Sequence, residues 1–597
     1  MRKIDLNENR VRKTLPMDVR GAFGTQFGWM KGYRAGIFTD DLVAAIVVTI
    51  LLVPQCLAYA LLAGLPPQLG IYASIFPLVA YALLGSSNYL NVGPTAVISL
   101  MTAAAIATLP PEIRIASAGA LALLTGGMLI IAGLLKAGFI MNFVSRPVVS
   151  AYITGAALLI ILSQTKHILG VPETSRTAFD MLQNLVTQLP NTKLLAVLTG
   201  GIAIALFILV RRLLPYLLVK SGVRAKRAKL IARMAPIVII AAFVLASALL
   251  DFGGKGGLAI VGDVPAGLPP FSLPNISMVG YENLLIPALV IAIVAFVDST
   301  STAQELASRR RERVDTNKEL LGLGAANAIA GLTSGYAING SMSRSAVNYT
   351  AGGKTPFVGL MVAAFMALTA LFLTPVLYSL PLSVLSALII VACLNLLDFR
   401  SIWRTWTYSR GDGVTALATF LSVILLGVQW GVLVGVVLAM VLHIRMSLTP
   451  RMPLVGRFRG TEHYRDSDRF NVETLDTVKT LRIDDSLYYA NARFLEDRVA
   501  TIVAEYPEIT DLIFMCTGVS HIDASALSSL SEINRRLKGL KVRLHLSSMP
   551  SNVRERLYRS DFLEKLSGNV YLSQHEAMTD LQPEPDWTQF SDHIDIH

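Results

Sequence analysis

The chain is punctuated by apolar runs too long and too poor in charge for a water-soluble core, such as "LVAAIVVTILLVPQCLAYALLAG" and "APIVIIAAFVLASALL". Runs of about 20 apolar residues have the length of an α-helix that crosses a bilayer. Roughly 12 to 14 such segments lie between residues 40 and 450, depending on how the short ones are treated. Of 597 residues 53% are hydrophobic and only 16% charged, where soluble domains carry roughly 25% charged residues. After residue 450 the composition is that of an ordinary soluble domain. The chain therefore reads as a polytopic α-helical membrane protein with a soluble tail, and the lipid bilayer is its first partner. The opening 40 residues are polar and basic, unlike a cleavable signal peptide.

The net charge of +11 points to the membrane surface rather than to nucleic acid. Lys and Arg gather in the N-terminal segment, at 211–233, at 309–313 and at 400–410. With the segments numbered 1 to 14, each cluster falls before segment 1 or after an even-numbered one. That is the positive-inside pattern, and it places both termini in the cytoplasm, with the cell inner (plasma) membrane as the expected location. The three cysteines, Cys56, Cys393 and Cys516, show no metal-ligand spacing and read as small apolar side chains. No metal or cofactor is expected.

A few segments are irregular. Segment 1 is interrupted by Pro54 and Gln55; a proline at mid-span removes a helical hydrogen bond. Segment 3 starts with "NVGPTAVISL", where Asn91, Gly93 and Pro94 stop a helix from running through. Segment 10 contains "INGSMSRSAVNYTAGGKTP", which permits only a short helix from about Ser341 to Ala351. Segment 8 holds an acid, Asp298. Segments 1 and 8 carry polar mid-span residues, 3 and 10 are short and glycine-punctuated, and 5 and 12 share a proline start and small residues. A spacing of seven implies two repeats, the second inverted. Interrupted segments in matching halves point to a carrier's binding site, because irregular backbone at membrane depth is tolerated only where it is buried or lines a cavity.

Two half-helices meeting tip to tip would aim unpaired N–H groups and the positive ends of two helix dipoles at one small cavity, which is an anion site. Ser341, Ser343 and Ser345 on one side and Thr95 on the other add hydroxyl donors, Arg344 adds a full positive charge, and Gln55 and Tyr59 from segment 1 line the wall. On this reading Arg344 meets an anion, with Asp298 holding it when the anion is absent. The competing reading has Arg344 only pairing with Asp298, or reaching the membrane interface by snorkelling. The tail alternates strand and helix from about Asp476, with Asp523 as a helix cap, and reads as a small α/β domain. It contains no Gly-rich phosphate loop and no ligand cluster, and nothing in it looks catalytic.

The motifs "VPQCLAYALLAGLPPQLGIYAS", "NVGPTAVISL", "DTNKELLGLGAANAIAG" and "NGSMSRSAVNYTAGGKT", followed by "LYYANARFLEDRV" and "IDASALSSL", resemble the SulP (sulfate permease) anion transporters with a C-terminal STAS domain. The resemblance implies fourteen transmembrane segments in a seven-plus-seven inverted repeat, divided into core and gate domains, a homodimer, elevator-type alternating access and no enzymatic activity. Carried over, the family's anion site falls on Gln55, Tyr59, Thr95, Ala96, Val97, Ser341, Ser343 and Arg344. Asp298 and Thr302 match the Asp and Thr, four residues apart, that bind sodium in bicarbonate carriers of this family. Those carriers look to have no arginine in the place of Arg344, a departure that weakens the sodium and bicarbonate readings together. In the tail, "DASAL" resembles the phosphorylated loop of anti-sigma-factor antagonists, with Ser525 in the place of the modified serine; a plain helix cap is the preferred role.

The domains expected are an N-terminal segment 1–40, a transmembrane domain 41–450, a linker 451–474, a STAS domain 475–582 and a flexible tail 583–597. The function expected is secondary transport of a small anion, sulfate first, coupled to a proton. The alternatives are a sodium-coupled bicarbonate carrier, a C4-dicarboxylate carrier, an uncoupled anion channel or exchanger, and a non-transporting anchor that signals through its tail.

Overall fold

Apolar stretches too long for a soluble core fold here as helices whose outer faces remain apolar. A computed structural model describes residues 30 and 33–581, apart from 108, 140–144, 172–177, 255 and 275–281; the expected flexible tail 583–597 and most of the N-terminal segment lie outside the described residues. The chain divides into two compact units, 1–439 and 440–597.

The first half of the membrane unit runs α1 (Ala35–Leu62), α2 (Gln68–Tyr72), α3 (Phe76–Leu84), β1 (Val92–Gly93), α4 (Ala96–Ile106), α5 (Pro111–Leu134), α6 (Arg146–Leu169), α7 (Ala178–Gln188), α8 (Leu194–Lys220) and α9 (Ala225–Leu250). The second half runs α10 (Glu282–Ser308), α11 (Thr316–Leu332), β2 (Asn339–Gly340), α12 (Met342–Ala351), α13 (Phe357–Leu368), α14 (Leu382–Leu394), α15 (Phe399–Tyr408), α16 (Arg410–Leu426) and α17 (Val428–Leu448). Among the described residues eight helices are long and apolar enough to cross a membrane, and three shorter apolar ones accompany them. With α2 and α3 counted as one span, the order of elements in the second half repeats that of the first, down to a strand before each half-helix and the extra helices α7 and α15 at matching places. The arrangement accommodates seven spans in each half.

The helices sort into two groups. The first contains α1–α5 and α10–α13, where α11 packs on α5 and α3, α10 on α5, and α12 and α13 on α1. The second contains α6–α9 and α14–α17, where α6 packs on α14 and α16, and α8 on α9 and α14. They correspond to the core and gate domains that the family resemblance implies. The α5–α11 contact depends on glycine: a Cβ on Gly126 would stand 2.5 Å from the Ala328 nitrogen, and one on Gly324 2.9 Å from the Ile130 nitrogen. Small residues let helices approach closely where lipid supplies no hydrophobic drive between them.

Two expectations are corrected here. Pro54 lies inside a continuous helix rather than ending it; the ring removes one N–H and leaves the preceding turn short of a donor, but the surrounding turns hold. The first span also begins before residue 41. Asp41 looks like a polar boundary in sequence, yet it is fully buried. Its carboxylate accepts from the Lys354 backbone N–H at 2.7 Å, the Thr355 hydroxyl at 2.5 Å and the Tyr33 hydroxyl at 3.2 Å.

The second unit holds β3 (Leu454–Arg457), β4 (Tyr464–Asp466), β5 (Val478–Arg482), α18 (Ala492–Glu505), β6 (Asp511–Met515), α19 (Ala524–Gly539), β7 (Arg543–Ser547), α20 (Ser551–Tyr558), α21 (Phe562–Lys565), β8 (Val570–Tyr571) and α22 (Gln574–Leu581). The strand order is β4-β3-β5-β6-β7-β8, with β5 to β8 parallel and β3 antiparallel to both neighbours. Residues 451–474 are therefore two strands of the sheet and not a linker. Their polar composition hides them, because an edge hairpin has to bury only one face. Asp523 caps α19 as expected, accepting from the Ala526 N–H at 2.8 Å, and Ser525 lies exposed in the first turn.

Candidate functional site

The strands β1 and β2 pair antiparallel, Val92 with Gly340 and Gly93 with Asn339. Each is followed at once by a half-helix. The pairing therefore brings the N-termini of α4 and α12 together, as the interrupted segments predict. Thr95 is the N-cap of α4 in extended conformation, and its side chain makes no capping bond; the first-turn N–H groups of Ala96 and Val97 have no partner within the helix. Ser341 caps α12, receiving the Arg344 N–H, and its hydroxyl lies 3.3 Å from that of Ser343. Ser343 is exposed. Ser345 does not face this gap: it is fully buried and accepts the Asn91 N–H at 2.9 Å, which ties α12 to the strand before α4.

Arg344 is 1% exposed. Its Nε donates to Asn91 Oδ1 at 2.8 Å. Its Nη1 donates to the Pro94 carbonyl at 2.9 Å and, longer, to Gln55 Oε1 at 3.4 Å. Its Nη2 is buried without a hydrogen-bond partner. A Cβ on Gly93, whose φ is +156°, would stand 3.3 Å from that nitrogen, so the glycine leaves the guanidinium its space. All the partners are neutral oxygens. A buried charge without an opposite charge is expensive unless a ligand supplies one. Tyr59 lies one turn beyond Gln55 on α1 and is buried.

The expectation that Asp298 holds Arg344 is not what the structure shows. Asp298 Oδ2 accepts from Asn339 Nδ2 at 2.7 Å, and Asn339 Oδ1 accepts the Thr95 hydroxyl at 2.5 Å. The reason is the backbone: Asn339 is held in the strand pair, and Gly340 donates its N–H to Ser299 beside Asp298 at 2.7 Å. That contact fastens α10 to β2 rather than to α12. Thr302 lies one turn along α10 and is buried. Among the described residues no group of three or more His, Cys, Asp or Glu has the arrangement of a metal site.

The structure thus brings Gln55, Thr95, Ala96, Val97, Ser341, Ser343 and Arg344 to one gap, with Tyr59 beside it on the wall and Asp298 linked to it through an amide. Sequence reasoning missed Asn91 and Asn339. A signal was present: each is an asparagine just ahead of a glycine on the approach to a half-helix, Asn91 two residues before Gly93 and Asn339 directly before Gly340.

This constellation, two facing helix N-termini and a buried cation inside an inverted repeat, defines the class: a membrane anion-transporter fold. Solved structures show the same fold. Murine solute carrier 26 family member A9, an anion transporter in the inward-facing state, matches at 23% identity with a TM-score of 0.85 over 97% of each chain. The transmembrane domain of the cyanobacterial bicarbonate transporter BicA matches at 22% identity with a TM-score of 0.56 over 68% of this chain and 98% of that one. The sulfate permease family model matches residues 38–419 and the STAS domain model residues 469–577. "Sulfate transporter 4.1, chloroplastic" of Arabidopsis thaliana is 32% identical over 569 residues, covering 92% of this chain and 81% of that protein. "Probable sulfate transporter Rv1739c" of Mycobacterium tuberculosis is 32% identical over 553 residues, covering 91% of this chain and 96% of that protein. The chain belongs to the sulfate permease family and is an anion transporter of that family with a C-terminal STAS domain.

Proposed function

We propose that the protein is a proton-coupled carrier of a small oxyanion, sulfate in the first place, working by elevator-type alternating access. One observation carries the anion site: the buried Arg344 guanidinium has an unpartnered Nη2 and only neutral partners, at the meeting of two helix N-termini. The substrate set is Gln55, Tyr59, Thr95, Ala96, Val97, Ser341, Ser343 and Arg344. The N–H groups of Ala96 and Val97, the serine hydroxyls and the guanidinium are all donors, and such a set favours an oxyanion that only accepts. The names of the relatives favour sulfate.

Asp298 is the coupling acid. It is half-buried and has no ion-pair partner among the described residues, so it is free to take a proton. A second reading has support in the Asp298–Thr302 spacing on α10, which suits a sodium ion and would go with bicarbonate. Against it stands the buried guanidinium of Arg344, which the sodium-binding carriers of the family resemblance lack at this place. The remaining parts of the proposal come from the family resemblance and the charge pattern: both termini cytoplasmic, residence in the cell inner membrane, and a homodimer.

Reconstitution into liposomes tests the proposal. Labelled sulfate, bicarbonate and succinate are offered under separate proton and sodium gradients. Accumulation of sulfate driven by an inward proton gradient is expected. Uptake that ignores pH and follows sodium overturns the proton reading. Flux that only dissipates the anion gradient makes the protein a channel or exchanger.

A further inference from the structure

We propose that Asn339 is a positioning residue that converts the protonation state of Asp298 into the direction of the Thr95 hydroxyl, and so into anion affinity. The inference rests on the proton-coupled reading above and adds the path by which the proton is felt.

Asn339 is fully buried. Its backbone is fixed by pairing with Gly93, so what remains movable is its amide. That amide sits in a chain of three groups, with Asp298 Oδ2 accepting from Nδ2 at 2.7 Å and Oδ1 accepting from Thr95 Oγ1 at 2.5 Å. An ionised carboxylate offers only acceptors. It therefore dictates the direction of the chain: the amide NH₂ turns to the acid, the amide oxygen turns to Thr95, and Thr95 must spend its one proton on Asn339. The hydroxyl then presents only lone pairs to the gap between α4 and α12, and lone pairs repel an anion there. This also accounts for an N-cap threonine that caps nothing, although capping is the usual role of a threonine hydroxyl at that position.

A proton taken from solvent onto the carboxyl reverses the chain. The acid now donates O–H to Asn339 Oδ1. The amide turns over about its Cβ–Cγ bond, and Nδ2 donates to Thr95 Oγ1. The Thr95 proton is released and points into the gap as a further donor to the anion. No bond other than the O–H on Asp298 is made, and the number of donors in the chain rises by one. Binding of proton and anion then favour each other, as symport requires, although Asp298 never touches the anion or Arg344. By linkage each ligand raises the affinity of the other by the same factor.

The surroundings leave this chain as the route. The hydroxyl of Tyr152 on α6 is buried without a hydrogen-bond partner. Tyr336, ahead of β2, shares a hydrogen bond with Ser99 at 3.1 Å. Glu319 on α11 is taken by Tyr81 and Ser86, and Arg114 at the start of α5 by the carbonyls of Leu109 and Ala107. Arg344 on α12 is engaged by Asn91, Pro94 and Gln55. The helix α4 and the strand β2 carry no titratable side chain.

The test is sulfate affinity of the full-length protein, measured by calorimetry between pH 5.5 and 8, with thermal unfolding as a check on folding. In the wild type, affinity should fall about tenfold as pH rises, the size of one hydrogen bond to a charged partner. Asn339→Ala takes away the acceptor on which Thr95 spends its proton, so it should bind near the tight limit at every pH, with the dependence reduced to less than about twofold. If Asn339→Ala does not fold, Thr95→Val has nearly the same shape without the hydroxyl and should show the same flattening. Asp298→Asn holds an amide that can donate to Asn339 as the protonated acid does, and should bind at pH 8 as tightly as the wild type at pH 5.5. An Asn339→Ala or Thr95→Val protein that keeps the full pH dependence overturns the relay while leaving proton coupling in place, through a direct field between Asp298 and Arg344. A wild type whose sulfate affinity ignores pH overturns the proton-coupled reading itself, and the relay with it.

Discussion

In the C-terminal unit the buried carboxylate of Asp511 meets Arg543 Nε at 2.7 Å, His545 Nε2 at 2.9 Å and the Thr510 hydroxyl at 2.8 Å. In the membrane unit the buried guanidinium of Arg344 meets three neutral oxygens and keeps one nitrogen unpartnered. Both are charges inside a packed structure. The first is complete within the fold, and its partners lie on adjacent parallel strands in the registers Asp511–Arg543 and Ile513–His545. The second is incomplete. A charge satisfied by its own fold holds that fold together, whereas one left short is where the proposed anion would bind.

The membrane unit contains both kinds. Glu319 is fully buried and has no ion-pair partner among the described residues, yet it accepts from the Tyr81 hydroxyl at 2.8 Å, the Ser86 N–H at 3.0 Å and the Ser86 hydroxyl at 2.7 Å. Three donors from the α3 end fasten α11 to its neighbour. Asp41 is similarly surrounded by Lys354, Thr355 and Tyr33. Among buried charges the absence of donors or acceptors, more than burial itself, separates site from scaffold.

The widest separation between the two kinds of charge is expected from Arg344→Ala. Loss of a charged hydrogen-bond donor costs about 1.5–3 kcal/mol, roughly ten- to more than a hundredfold in anion affinity. Uptake should collapse while the protein still elutes as a folded species. Unchanged uptake kinetics would show that the unpartnered nitrogen serves no substrate.

Glu319→Leu is the converse. It leaves the Ser86 N–H and the Tyr81 hydroxyl without an acceptor, at about 1–3 kcal/mol of stability. A thermal midpoint lowered by several degrees is expected, with the pH dependence of uptake unaltered. A shifted pH profile at undiminished stability would move Glu319 from scaffold to coupling machinery.

The tail cluster makes a smaller, pH-dependent prediction. Burial pushes the Asp511 carboxyl up, but the hydrogen bonds from Arg543, Thr510 and His545 and the charge of Arg543 outweigh it and hold the group below the usual carboxylate range. Burial holds the His545 imidazole below its ordinary value, against the pull of Asp511. Its Nδ1 accepts the Asn569 N–H at 3.0 Å, which requires the neutral ring. The unfolded chain therefore takes up a proton on His545 first as pH falls below about 6.5, and on Asp511 first as it falls below about 4. Both effects remove stability on the acid side. Hydrogen exchange at Val570 and Tyr571, corrected for intrinsic rate, should quicken between pH 7.5 and 5.5. Constant protection over that range would mean that His545 does not favour the neutral form.

The smallest effect is expected at Ser525. It lies exposed in the first turn of α19, where a negative charge is mildly favourable to the helix. Ser525→Asp should change uptake by less than about twofold. A several-fold change, with phosphate found on Ser525 in cells, would make the loop a switch.

Much of this was legible in the chain alone. The spans follow from the length of the apolar runs, and the inverted repeat from short, interrupted segments recurring at matching places. The half-helices follow from Asn91, Gly93 and Pro94 in one repeat and from the glycines that flank Ser341–Ala351 in the other, because these are local effects of side-chain length and backbone freedom. Local patterns also misled. Asp41 marked a boundary that the packed fold ignores, and residues 451–474 looked like a connection although they complete a sheet.

What only the tertiary structure decided is who meets whom. Arg344 and its acceptor Asn91 are 253 residues apart, Asn339 and Thr95 244 apart. Charge alone suggested that Asp298 and Arg344 would pair. The strand pairing of Gly93 with Asn339 settles it otherwise, by placing an amide against the acid and carbonyl oxygens against the arginine. Hydrogen-bond direction depends on distances of a few tenths of an ångström and on which atom faces which, and a sequence specifies those only through the packing of the whole unit.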